Sequence, residues 1–283
     1  MFYPDIEAAI ARGAAHRKNM HELGARPGFR PLDLGHWLRL CAEAGVPAVP
    51  ATLVASINPQ LLTEFIEPHP DHVPTEAQLE TLQAFWAKVQ EARALHGYML
   101  RWSCCACAKV KHRLSTGEPR WNPDFLEFFG ADDFRAFDLL CEFYHPEVGA
   151  YLRPWLRYAV HEGYPVEYRA FVLNGEIQGV SNYYPQRDLP DNDETSRDVE
   201  TVLAFTRRLI AAQREPINLP NAFVQAMPKL NCWTADFARL ADGAIVFLEG
   251  GPPHLPGGAH MCCFKFGEIE GVALSNRNAE GDV

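Results

Sequence analysis

The chain has 283 residues, 47% of them hydrophobic and 22% charged, a composition that supplies a sizeable core and does not suit a disordered chain. Its 36 acidic side chains outnumber 26 basic ones, and the net charge of -10 excludes a general binder of nucleic acid or anionic membrane, which needs a basic face. The N-terminus has no basic segment leading into an apolar one and nowhere do 18 apolar residues run together, so neither signal peptide nor membrane span is expected and a cytoplasmic, reducing setting is. The eight cysteines are then expected to be thiols rather than disulfide staples.

Residues 1–96 read as mainly helical. Between 31 and 45, Leu34, Trp37, Leu38, Leu40 and Cys41 share one side of a helix that closes at Gly45, with Pro47 beyond it. Residues 57–74, with Pro59, Pro68, Pro70 and Pro74, suggest a short helix and an irregular connection. Thr75 and Gln78 have capping-box spacing, and Leu79, Leu82, Phe85, Trp86 and Val89 follow at helical period. At Gly97 the pattern changes: Tyr98 to Trp102 is an apolar run of strand length ending at a cysteine-rich turn, which marks a boundary. Residues 105–114 and 131–145 again suggest helices.

The second half is rich in strands. Asn174-Gly175, between alternating segments over 168–180, and Asp242-Gly243, between 233–240 and 244–249, are both hairpin signals. A helix with Val199, Val202, Phe205 and Leu209 on its apolar side separates them. The acidic cluster at 188–198 is expected to be a solvated loop running into that helix.

Asp236 and Glu249 lie at equal distances from the Asp242-Gly243 turn, so in-register pairing places them side by side. Two such carboxylates repel unless a cation sits between them, and Mg2+ takes carboxylates together with substrate phosphates. On that basis neutralising either one should hold or raise the stability of the ligand-free protein. The alternative is two surface acids on an ordinary hairpin. Both interrupt apolar runs, however, and Glu249 opens Gly250-Gly251-Pro252-Pro253, a turn that lets backbone approach a ligand.

Four segments in order, Glu167-Tyr168-Arg169-Ala170-Phe171-Val172, the Asn174-Gly175 hairpin, Trp233-Thr234-Ala235-Asp236-Phe237-Ala238 and Val246-Phe247-Leu248-Glu249-Gly250-Gly251, resemble the nucleotide-binding half of ATP-grasp proteins. In order and spacing they look nearest to the cell-division-cycle ATP-grasp branch, whose eukaryotic members help assemble a translation initiation factor. The resemblance covers roughly residues 97–265. It implies an α+β ATP-grasp fold, two subdomains (97–152, small; 153–283, large) with ATP between them, preceded by the helical region 1–96.

The resemblance further implies Asp236 and Glu249 as Mg2+ ligands and Arg169 as a phosphate-side cation. Arg153, Pro154, Trp155 and Leu156 look like the hinge strand that pairs with adenine. Arg101 stands where many members have a phosphate-binding lysine, Lys229 is a third candidate cation, and Glu167 either binds nucleotide or orients Arg169. Many members carry an asparagine two residues after the metal-binding glutamate, where this chain has Gly251. Water or His254 would then complete the metal shell.

The implied activity is that of an ATP- and Mg-dependent ligase: a carboxylate activated as an acyl phosphate, then captured by an amine or thiol. Catalysis of that kind is mostly positioning and charge neutralisation. A non-catalytic ATP-binding assembly chaperone or adaptor, with a protein partner, uses the same site. Cys104, Cys105 and Cys107, with Cys262 and Cys263, raise a third alternative, a cysteine metal module, in which soft thiolates would select zinc or an iron-sulfur cluster.

Overall fold

The computed structural model describes residues 26–58, 75–103, 147–184, 189–218 and 232–251, with Ala15, Glu22 and Leu61 singly. The expected helices at 105–114 and 131–145, and the cysteines at 104, 105, 107, 262 and 263, lie outside the described residues.

Helix α1 (Leu34–Ala44) starts at Asp33, whose carboxylate accepts the amides of Gly35 at 2.8 Å and His36 at 3.3 Å, and stops at Gly45 in the left-handed conformation. Arg208 adds a second stop, its guanidinium donating to the carbonyls of Ala44 and Gly45. The buried side of α1, Leu34, Trp37, Leu40 and Cys41, turns Trp37 into the larger core. There the indole stacks on Phe247 at 5.0 Å and meets Trp233 edge-on at 5.1 Å, and its Nε1 donates to the Pro31 carbonyl. Helix α2 (Glu76–Arg93) has the expected capping box at Thr75 and Gln78 and buries Leu82, Phe85 and Val89.

The sequence missed β1 (Thr52–Ile57). It pairs with β3 (Val148–Pro154), which also pairs with β2 (Tyr98–Trp102), giving a sheet in the order β1-β3-β2. Its pattern, Thr-Leu-Val-Ala-Ser-Ile with the first two positions exposed and only Ile57 fully buried, carries too little alternation to register as a half-buried strand. The small sheet therefore draws on both sides of the boundary at residue 97, and α2 covers it through a core containing Ile57, Phe85, Trp102 and Val148.

After the short pair β4 (Val160–His161) and β5 (Tyr164–Pro165) comes a four-stranded antiparallel sheet. It is formed by β6 (Glu167–Leu173), β7 (Glu176–Asn182), β8 (Trp233–Arg239) and β9 (Ile245–Gly251), in the order β7-β6-β8-β9. Asn174 and Gly175, with φ of 53° and 76°, make the primed hairpin turn. Helix α3 (Asp193–Ala212) begins at the Asn192 cap and, with α1, covers the face bearing Tyr168, Ala170, Trp233, Ala235, Phe237 and Phe247. Asp198, expected in a solvated cluster, is instead buried and accepts the Tyr168 hydroxyl at 2.9 Å. No helix among the described residues is long and apolar enough to cross a membrane.

Candidate functional site

With one face of the large sheet spent on the core, period-2 alternation sends the intervening side chains to the other face. Register then lines up Ser181, Arg169, Asp236 and Glu249 as a row across all four strands. The pairing of Asp236 with Glu249 is as expected, but the route to it differs. The hairpin closes with a three-residue loop, 241–243, one residue longer than a two-residue turn, with Leu240 facing Ala244, and a bulge between Asp236 and Phe237 restores the register. Without that bulge Asp236 would face Leu248, and Glu249 would fall on the core side.

The two carboxylates are not a bare repelling pair, and that expectation is corrected. Asp236, 2% exposed, holds Arg169 in a fork: Nε and Nη2 each donate to a carboxylate oxygen at 2.6 Å. Glu249 takes Arg101 of the small sheet, Nη2 to Oε2 2.7 Å, with both side chains at most one-tenth exposed. Burial works to lower the pKa of Arg169, but the charge and hydrogen bonds of Asp236, with Tyr183, outweigh it and hold the guanidinium above its ordinary value. The Tyr183 ring also lies 4.6 Å from the guanidinium carbon.

Arg153 and Arg101 are not exposed strand-end charges: they are 3% and 4% exposed. Arg153 reaches from β3 to β9, where its Nη1 donates to the Leu248 carbonyl at 3.1 Å, so two arginines of the small sheet contact one strand of the large one. In the hinge segment, Trp155 donates its amide to the Gly97 carbonyl. The Trp155 carbonyl and both backbone groups of Leu156 make no backbone hydrogen bond among the described residues. The Leu156 side chain packs on Val49, Ala238, Val246 and Leu248.

Glu167, buried at 3% exposure, accepts the Tyr184 hydroxyl at 3.3 Å. Burial and the Glu167 charge push the Tyr184 phenol pKa up. The carboxylate lines a hollow of about 10 Å³ with Tyr164, Asn182 and Tyr184. Lys229 and His254 lie outside the described residues. Gly250 and Gly251 belong to strand β9 rather than to a turn, and packing explains both. A Cβ on Gly250 would sit 1.9 Å from the Trp37 indole, and one on Gly251 would sit 2.6 Å from the Thr234 hydroxyl. A side chain at 251 would therefore require the Thr234 hydroxyl to move.

Ser181 escaped the sequence. A bulge between Phe171 and Val172 moves it opposite Arg169, where the turn alone would set Val180. It is fully buried, and its hydroxyl has no hydrogen-bond partner among the described residues. A cavity of about 300 Å³ lies elsewhere, lined by His36, Arg39, Glu43, Gln213 and Glu215. Size favours that cavity, but its charges are in water. Those at the sheet junction are desolvated, and desolvated charge is the stronger mark of a ligand site. No group of three or more His, Cys, Asp or Glu side chains suited to a metal occurs among the described residues, so a cation here would rest on the Asp236 and Glu249 pair.

No family model matches the chain, and no curated protein matches it in sequence. Among solved structures it is similar to Cdc123 from Schizosaccharomyces pombe, at 13% identity and a TM-score of 0.45, covering 78% of this chain and 83% of that one. It is also similar to carboxyaminoimidazole ribonucleotide synthase from Aspergillus clavatus, complexed with ATP (14% identity, TM-score 0.37, 79% of this chain and 45% of that one). A third is D-alanine-D-alanine ligase from Coxiella burnetii (9% identity, TM-score 0.34, 78% of this chain and 47% of that one). The chain thus spans less than half of either enzyme's chain. The fold is α+β.

Proposed function

We propose that the chain binds MgATP between its two sheets in the ATP-grasp manner and serves an ATP-dependent ligase-type reaction. The observation that supports this best is the convergence of Arg101, Arg153, Arg169, Asp236 and Glu249 at the sheet junction, where two arginines from the small sheet contact β9 of the large one. Such an array suits a polyanion with a divalent cation. The guanidiniums offer planar forks for phosphate oxygens, and each carboxylate has about four acceptor positions, of which Arg169 takes one on either Asp236 oxygen.

In this reading Asp236 and Glu249 hold Mg2+, which supplies charge neutralisation on the phosphates. Arg101 and Arg169 orient phosphate oxygens, Lys229 is a further cation, and the backbone around Trp155 and Leu156 reads the adenine edge. Glu167 and Tyr184 flank the row where an acceptor would enter. A carboxylate substrate, a γ-phosphate and an amine or thiol acceptor are the reactants this arrangement suits.

The test is a thermal shift series with MgATP, MgGTP and ATP without magnesium. A ligand bound only to the folded state at a hundredfold excess over Kd stabilises by about 2.7 kcal/mol, so MgATP alone should raise the melting temperature by several degrees. Equal shifts with GTP would remove the adenine role of Trp155 and Leu156. No shift with any nucleotide at millimolar concentration would refute the proposal. Release of ADP with a panel of carboxylates and amines then separates a ligase from an adaptor that only binds.

A further inference from the structure

Arg153 is buried, and Glu249 acts on it only from beyond ion-pair distance. Its Nη1 meets only the Leu248 carbonyl, its Nη2 has no hydrogen-bond partner among the described residues, and no carboxylate there forms an ion pair with it. Arg101 lies diagonally across from it: Met99 faces Arg153 and Arg101 faces Tyr151 on the same face of the small sheet. Arg101 spends Nη2 on Glu249 and keeps Nε without a partner among the described residues. The other carboxylate of the row, Asp236, is taken by Arg169. Glu167 is a further buried carboxylate near them, so among the described residues what Arg153 and Arg101 lack is a hydrogen-bond acceptor for Nη2 and Nε rather than negative charge as such.

A buried donor without an acceptor calls for a ligand. We infer that Arg153 and Arg101 together hold an oxyanion of the ligand, so that Arg153 serves the site through its guanidinium and not through an adenine-reading backbone. Its backbone faces Met99 of β2 and stands one residue past the last β1 pair, Thr52 with Leu152. Burial first, and then the neighbouring Arg101 charge, push the Arg153 pKa down to about 9, the strain an anion would relieve. The chemistry is that of phosphate or carboxylate oxygens, supplied either by the phosphate chain of a nucleotide or by the acid to be activated. The inference shares the site of the MgATP proposal but rests on its two unpartnered buried guanidinium donors.

The experiment titrates tripolyphosphate, succinate and adenosine into the full-length parent and into Arg153→Lys. The lysine variant keeps the charge but loses the second donor arm. Arg153→Met is carried alongside, and if it is too unstable to titrate, the lysine variant alone decides. The expected result is a tripolyphosphate Kd at least tenfold weaker in Arg153→Lys with adenosine changed less than twofold, which assigns the anion to a phosphate chain. The same loss for succinate instead assigns it to the acid substrate. Unchanged binding of both anions, no binding of either to the parent, or an equal loss of adenosine overturns the clamp. Anion binding that needs Arg153, in a protein that ignores every nucleoside and nucleotide, would keep the clamp and refute MgATP.

Discussion

Asp236→Asn tests the central ion pair, because the sequence and the structure make opposite predictions for it. If the carboxylates merely repelled one another, neutralising one would leave the ligand-free protein as stable or more so. In the structure the substitution removes a charge that two 2.6 Å bonds tie to Arg169, and puts an amide donor against a guanidinium that only donates. Arg169 cannot escape by shedding its proton, since its pKa is held high. Breaking a buried pair from one side costs about 3 to 5 kcal/mol. The Arg169 side chain is 19% exposed, so water recovers part of that and about 2 to 4 kcal/mol remains. For a chain of this length roughly 2 °C per kcal/mol applies, so calorimetry without ligand should show a melting temperature about 4 to 8 °C lower. A variant that melts at or above the parent would refute the pairing. In a double-mutant cycle, Arg169→Met should lose most of its own cost once Asn is at 236.

Arg169→Lys keeps the charge but not the fork, and should weaken MgATP binding by roughly tenfold, the loss of one charge-assisted hydrogen bond of about 1.5 kcal/mol; calorimetric titration at the parent value would make Arg169 purely structural. Gly250→Ala drives a methyl into the Trp37 indole and should cost about 3 kcal/mol or more of unfolding free energy, whereas a denaturant midpoint near the parent would show that α1 can retreat. Burial, then Arg39 and Arg30, lower the His36 pKa from 6.5 to about 4. The unfolded chain therefore binds the extra proton across that window, and the stability His36 contributes is full above pH 6.5 and lost as pH falls toward 4. His36→Asn should flatten that stretch of the stability-pH curve, and an unchanged slope would assign it to other groups. Replacing Cys104, Cys105 and Cys107 together by Ser should leave MgATP binding near parental with no stoichiometric zinc in the parent, and one zinc per chain, lost with the fold in the variant, would make the cysteines a structural metal site.

Local signals determined much of this protein. Capping residues at Thr75 and Gln78, the stop at Gly45, the primed turn at Asn174-Gly175 and the helical period through Val199, Val202 and Leu209 each act within a few residues of chain, so they are legible without a partner. The pairing of Asp236 with Glu249 also followed from counting, though only because a longer loop and a bulge cancel. Three things needed the tertiary structure. Strand β1 exists because β3 offers it a ladder, which its own exposed Thr52 and Leu53 do not announce. Gly250 is a glycine because Trp37, distant in sequence, occupies the space a Cβ would need. The pairing of Arg169 with Asp236 and of Arg101 with Glu249, and the stranding of Arg153 between them, depend on how two sheets meet. Register within a hairpin is local, but which charges share a dry junction is decided by packing between elements far apart in the chain.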